Sequence, residues 1–202
     1  MRVSLRQIAE KTGYSMNTVS RVLRDESDVK AETKLYIRQV AQQMGYIPNK
    51  IATSLRLGKT STVGIISTDS SNPFFSELIL GIEEQARSRG FHILLVNTEE
   101  DAERELEAIS DLIARRVDGL LLMPVCGEKD RNNVESLKKL VVPFVLVGRW
   151  LPGLEDHAVL TDEYEKSREI TSLFLSNGHR NIIHLSGPPY VSSTHDRVRG
   201  FQ

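Results

Sequence analysis

The sequence predicts an all-α head followed by an α/β domain built on a parallel sheet. Two observations carry this. The first is a change of hydrophobic period near residue 60. Before it, apolar residues recur at helical spacing; after it, near-continuous apolar runs alternate with amphipathic stretches. The second is charge. The 202 residues hold 26 Lys and Arg against 27 Asp and Glu, a net −1. Residues 1–59 hold 11 basic and five acidic side chains, so the head is +6 and the remainder −7. A basic end on an acidic body suggests a polyanion-binding module joined to something else, although a solvated basic face has the same composition.

Composition excludes several classes. Hydrophobic residues make up 40% and charged residues 26%, which is globular and not disordered, collagenous or disulfide-stapled. Cys126 is the single cysteine, so no internal disulfide forms and a reducing compartment is expected. The start MRVSLRQIAEKTGY has no apolar h-region, and no run reaches the ~18 apolar residues of a membrane span. The expectation is a cytoplasmic protein with no membrane partner.

In the head, Ser4 and Gln7 have capping-box spacing, and Leu5, Ile8 and Ala9 share a helical face. Gly13 breaks this first helix. Ser15 is a good N-cap for a second, in which Val19, Val22 and Leu23 lie on one side and Asn17, Arg21 and Arg24 on the other. A third helix buries Ile37, Val40, Ala41 and Met44, and Gly45 ends it as a C′ residue. Two helices joined by a tight glycine turn, the second apolar behind and basic in front, describe a helix-turn-helix. The major groove admits one helix, whose front must offer donors: Asn17 suits adenine, and Arg21 suits guanine or phosphate. Peripheral Lys and Arg supply the salt-sensitive part. Periodicity alone is equally compatible with a helical bundle that has no nucleic-acid role.

Further on, Thr62–Thr68, Phe91–Asn97, Asp118–Met123, Pro143–Gly148 and Asn181–Ser186 read as strands. Helices are expected over about 73–89, 100–116, 132–140 and 163–176. Apolar strands separated by amphipathic helices mean a parallel sheet covered on both faces, with ligands at the carboxyl ends of its strands.

Catalytic motifs fail. Gly58-Lys59-Thr60 resembles the end of a P-loop, but Thr53 stands at the first glycine position and the segment precedes a strand. There is no G-x-G-x-x-G and no G-x-S-x-G. His92, His157, His179, His184 and His195 lack metal-ligand spacing, and His179 suits a structural role in a turn. Glu99, Glu100 and Asp101 begin a helix, where they complement its dipole. No enzyme, cofactor or metal is expected.

The stretch LRQIAEKTGYSMNTVSRVL (residues 5–23), followed by GYIPN (45–49), resembles the lac/galactose repressor (LacI/GalR) family of bacterial transcription regulators. The resemblance implies a helix-turn-helix DNA-binding domain (1–48), a hinge helix or linker (49–59) and a periplasmic-binding-protein-like effector domain (60–202). It implies a homodimer on pseudo-palindromic double-stranded operator DNA. Met16, Asn17 and Arg21 match base-reading positions; Ser15, Thr18 and Ser20 match capping or backbone-contacting ones. Arg24 replaces the usual Asn and adds a candidate phosphate contact. Lys30 replaces the usual capping Ser and is expected to weaken the start of the third helix.

Residues 49–58 read as a helix too short to hold alone in water, with Ile51, Ala52 and Leu55 on one side. An ordinary interdomain linker has the same pattern. The resemblance implies paired hinge helices in the minor groove, with Asn49 at their start, Leu55 wedged between base pairs and Arg56 flanking. DSSNPFF (69–75), VGR (147–149), Thr161-Asp162 and GPPYVSS…RVRGF (187–201) look like the effector module, two α/β lobes around a cleft. Asp69, Asn72, Phe74 and Phe75 match cleft positions in the first lobe, and Arg197 matches an arginine that contacts a small-molecule effector, often a sugar or nucleobase. An aromatic face stacks on a sugar while Asp and Arg bind hydroxyls, though Phe74 and Phe75 also suit plain core at a helix start. Arg149 and Asp162 are further candidates; Gly148 and Glu163 depart from the acidic residue and Asn usual beside them.

The family's module continues well past residue 202, so the effector domain is expected to be truncated, with an incomplete second lobe. The function implied is a sequence-specific regulator, in the usual case a repressor, under effector control. The alternative is a truncated, non-inducible or interfering fragment of one.

Overall fold

The structure, a computed structural model, describes residues 3–26, 28–48, 58–127 and 130–202, with backbone only at 130–133. The chain divides into two compact units, one within residues 1–56 and one within 57–202.

The first unit holds α1 (Leu5–Thr12), α2 (Met16–Leu23) and α3 (Ala31–Gln43). The capping box forms: Ser4 N–H donates to Gln7 Oε1 at 2.9 Å, and Gln7 N–H to Ser4 Oγ at 3.3 Å. Gly13 ends α1 at φ 75°, where an L side chain would be strained. Lys30 gives α3 no side-chain cap, as its substitution for Ser predicts. At the other end Gly45 takes φ 70°, Gly45 N–H reaches Gln42 O and Tyr46 N–H reaches Ala41 O, a Schellman motif. Ile8, Ala9, Val19, Val22, Ile37 and Ala41 form the core. The helical spacings explain why these residues meet: each helix contributes one stripe.

The second unit is a five-stranded, all-parallel sheet in the order β2-β1-β3-β4-β5. Its elements are β1 (Thr62–Ser67), α4 (Pro73–Ser88), β2 (His92–Asn97), α5 (Ala102–Ala114), β3 (Gly119–Leu122), α6 (Asp130–Lys138), β4 (Phe144–Val147), a 3-10 turn (Glu155–His157), β5 (Ala158–Val159), α7 (Glu163–Ser176) and α8 (Ser192–Phe201). Strand alternation sorts the core. Ile66, Leu120, Leu122 and Leu146 point to Ala108, Ile109 and Leu112 of α5 and Leu137 of α6. Ile65, Met123 and Val147 point to Phe75, Leu78 and Ile82 on the α4 side.

Two expectations need correction. Coverage of the sheet is incomplete: a groove of about 690 Å³ lies along its α4 side, floored by Leu121 and Val145. Edge strand β2 leaves Leu94 and Leu95 exposed. The expected strand over 181–186 does not form. That segment takes no regular structure, and Ile183 and Leu185 are 87% and 90% exposed. A strand needs a neighbour for its backbone groups, and no described residue pairs with this one.

Helices α7 and α8 pack closely. A Cβ on Gly200 of α8 would overlap the Tyr164 carbonyl oxygen and stand 2.9 Å from Ser167 Cβ. Alanine favours a helix over glycine by about 1 kcal/mol, but overpacking costs about 1–3 kcal/mol. Because the obstruction is backbone, it cannot rotate away. Gly200→Ala is therefore expected to lower the denaturation midpoint; an unchanged or raised midpoint in a urea titration would show that α8 sits further from α7.

Candidate nucleic-acid interface and ligand site

The front of α2 is built by its own ends. Ser15 Oγ accepts from Thr18 N–H at 3.1 Å and meets Thr18 Oγ1 at 2.9 Å, so both residues serve the cap. With Val19 and Val22 fully buried, Met16 and Asn17 are carried outward, Met16 at 55% exposed. Ser20 is half-buried, and its carbonyl accepts from Arg24 Nε at 3.1 Å.

The two arginines of this face are engaged within the head. Arg21 Nε lies 3.2 Å from Glu26 Oε2, and its guanidinium also pairs with Asp28. Arg24 Nη2 lies 3.2 Å from Glu26 Oε1. Asp25 pairs with Arg38 at 2.5 Å and with Lys34 at 3.9 Å, both on α3. Sequence reasoning placed Arg21 and Arg24 on the face but not these acidic partners. The only signal for them is their position just past the helix end. Asn49, Leu55 and Arg56 lie outside the described residues.

In the second unit the candidate ligand residues gather where the topology leads. The chain leaves β1 toward β2 on one side and toward β3 and β4 on the other, so the loops after β1 and β3 diverge. Crevices for ligands open at such switch points. There Asp69 Oδ1 accepts from Ser71 Oγ at 2.6 Å and from Ser71 N–H at 2.9 Å; the hydroxyl bond first and the amide second hold its carboxyl below the usual range. Asn72 caps α4, its Oδ1 accepting from Phe74 N–H at 3.0 Å. Phe74 is 48% exposed, whereas Phe75 is 6% exposed and belongs to the core, edge-on to Phe74 at 5.3 Å.

Arg149, beyond β4, lies over the Phe75 ring at 5.5 Å. Its two terminal nitrogens reach Glu100 at 2.9 and 2.8 Å, and one reaches Pro124 O at 3.2 Å. Burial works against the charged guanidinium, and the Glu100 carboxylate more than offsets it. The dipole role expected of Glu100 thus gives way to a cross-sheet pair. Asp101 alone caps α5, accepting from Glu103 and Arg104 N–H at 2.8 and 3.1 Å, while Glu99 pairs with Arg104. Glu99 and Glu100 both stand at positive φ, 55° and 59°, a strained turn that swings Glu100 toward the crevice. Buried Glu105 accepts from Val125 N–H at 2.7 Å and so steadies the loop that presents Pro124 O.

Sequence reasoning also missed Ser67 and Thr68. Both are fully buried at the carboxyl end of β1, and their hydroxyls have no partner among the described residues. A buried hydroxyl without a partner is costly unless a ligand or water satisfies it.

Asp162 and Arg197 fall in a second cluster. Asp162 caps α7, accepting from Glu165 N–H at 3.0 Å. Arg197 of α8 pairs with Glu163 through two bonds of 2.7 and 2.9 Å, which hold the Glu163 carboxyl below its usual range. Trp150 links this cluster to the first: its N–H donates to Ser192 Oγ at 2.9 Å and its Nε1 to Asp196 Oδ2 at 3.4 Å. Three histidines rest on aromatic rings: His157 on Phe144, His179 on Phe174 and His184 on Phe201. Among the described residues no His, Cys, Asp and Glu cluster could hold a metal ion, and no helix is long and apolar enough to cross a membrane.

The geometry defines a class: a three-helix helix-turn-helix head joined to a parallel α/β lobe of the periplasmic-binding-protein type. Residues 4–49 match the bacterial regulatory proteins of the lacI family. Residues 60–202 match the periplasmic binding proteins and sugar binding domain of the LacI family. The chain belongs to the LacI family. Catabolite control protein A of Priestia megaterium is 32% identical over 203 residues, covering 100% of this chain and 60% of that protein. The ribose operon repressor of Escherichia coli (strain K12) is 30% identical over 201 residues, covering 98% of this chain and 60% of its own length. A Lac repressor structure bound to ONPG in its repressed state superposes with a TM-score of 0.86 at 26% identity, covering 99% of this chain and 61% of that one. A ribose operon repressor structure from Burkholderia thailandensis gives 0.61 at 36% identity, covering 70% and 53%. The chain thus spans about 60% of the length of the curated relatives it matches.

Proposed function

We propose that this chain carries the DNA-reading head and an effector-binding lobe of a ligand-responsive transcription regulator that acts as a repressor. One observation carries the reading. Helix α2 buries Val19 and Val22 behind and turns Met16, Asn17 and the arginines to the front, the arrangement a major-groove reader requires. The names of relatives agree: catabolite control, ribose operon repressor, transcriptional repressor. In this reading two copies bind a pseudo-palindrome, and Asn49, Leu55 and Arg56 act in the minor groove between the half-sites.

The effector is a small polyhydroxylated molecule such as a sugar, or a nucleobase-like one. The exposed Phe74 ring offers a stacking face, and Asp69 and Arg149 offer polar contacts. Effector and operator then bias each other's affinity.

Selection from random duplex DNA, followed by mobility shifts over rising salt, tests the reading. A single preferred palindrome whose binding falls steeply with salt is expected. Recovery of no preferred sequence would remove the DNA-reading role.

A further inference from the structure

The acidic turn after α2 stands where helix physics disfavours it. Carboxylates at a helix C-terminus face the negative end of the dipole, yet Asp25, Glu26 and Asp28 follow Leu23 and Arg24 directly. The turn is a Schellman motif: Asp25 N–H reaches Val22 O and Glu26 N–H reaches Arg21 O, both at 3.1 Å. Asp25 pays for it with φ 63°, a position usually given to glycine. This geometry returns Glu26 alongside Arg21, one turn back on the helix. Glu26 there takes both arginines of the outward face, and Asp28 takes Arg21 a second time. All four side chains are partly exposed, between 28% and 48%. The pairs are therefore exchangeable and not locked in a core. Asp25 meanwhile anchors the turn to α3 through Arg38 and Lys34.

We propose that Glu26 and Asp28 are specificity-setting residues of the DNA-binding head: they occupy Arg21 and Arg24 with carboxylates that only a correctly placed duplex displaces. This rests on the DNA-binding reading above. A carboxylate pair mimics a phosphate contact, so a random duplex gains little by exchanging one anion for another and meets two extra negative charges. A matched site adds base contacts from Asn17 and Arg21, which offset the lost pairs. The device lowers nonspecific affinity more than specific affinity, and the ratio of the two decides occupancy in a genome. Glu26 and Asp28 act through the arginines and are positioning residues.

The test uses the full chain and fluorescence anisotropy, with a random-sequence 24-bp duplex and with the palindrome selected from a random pool. The double variant Glu26→Gln/Asp28→Asn is expected to bind the random duplex roughly three- to tenfold more tightly, from exposed pairs of modest worth. Its log–log salt slope should steepen by about one to two per bound copy, as two cations of each copy become free for phosphates. Affinity for the selected site should rise less, so the specificity ratio falls. The control Glu32→Gln removes a carboxylate of the same head without releasing an arginine; its ratio should stay as in wild type. An unchanged ratio in the first variant, or an equal fall in the control, overturns the proposal while leaving DNA binding intact. A loss of selected-site affinity in the first variant overturns it too, because the carboxylates would then be reading bases. If the unaltered chain binds neither duplex, the DNA-binding reading itself falls, and this proposal with it.

Discussion

Ile37→Ala should unfold the three-helix head. Ile37 is fully buried where α3 meets Ile8, Val19 and Val22, the centre of a core of six buried residues. Truncating a buried Ile removes its transfer energy and leaves a cavity, a cost of about 2–5 kcal/mol. Domains of this size bury a smaller share of their surface than large ones and have little stability to spare, on the order of 0.05–0.15 kcal/mol per residue. The cost is therefore comparable with the head's own stability. Lys30 leaves α3 without a side-chain cap, which narrows the margin further. Native-state hydrogen exchange checks this by residue. Amides of α1, α2 and α3 should lose protection while those of β1, β3 and β4 keep theirs, and selected-site binding should vanish. Retained protection in α3 would mean the core tolerates the hole.

Asn17→Ala and Arg21→Ala should each weaken binding to the selected palindrome by about 5- to 150-fold, the 1–3 kcal/mol of a bidentate base contact. They should differ in kind. Asn17 is uncharged and exposed, so its loss should relax sequence preference without altering the salt slope. Loss of Arg21 should relax preference and also flatten the slope by about one per bound copy. Neither side chain is part of the buried core, so thermal unfolding of the head should move little with Asn17→Ala. Arg21→Ala leaves Glu26 with Arg24 alone and takes from Asp28 its Arg21 partner, and a small loss of stability there is expected. Wild-type affinity in both variants would mean that the outward side of α2 is not the one that meets the duplex.

Local rules carried much of the structure. Ser4, Gln7, Gly13, Ser15 and Gly45 act on neighbours within a few residues, through caps and turns whose geometry depends on nothing distant. The strands β1, β3 and β4 were legible because a buried parallel strand must be apolar on both faces, and edge strand β2 carries the same apolar run although its leucines stay exposed. Asn181–Ser186 carries a similar apolar signal and forms no strand, since pairing depends on a neighbour that periodicity does not supply. Strand β5 is two residues long and carries no signal of its own; pairing with β4 defines it.

The site residues divide in the same way. Phe74 and Phe75 are adjacent and chemically identical, yet one faces solvent and the other packs under Arg149, because the start of α4 turns one ring to each side. Glu100 read as a helix-dipole residue and became the partner of Arg149, 49 positions away. Ser67 and Thr68 look like ordinary strand-end residues; only their burial makes their hydroxyls notable.

Residue order alone determined the helix-turn-helix, the core stripes of the three head helices, the parallel α/β pattern and the family, because all of these are written in spacings of one to four residues or in contiguous motifs. Tertiary structure decided which carboxylate meets which arginine, which of two phenylalanines is free to touch a ligand and which apolar run finds a strand to pair with. These depend on where separate segments are brought in space, and the sheet order and the turn after α2 set that placement.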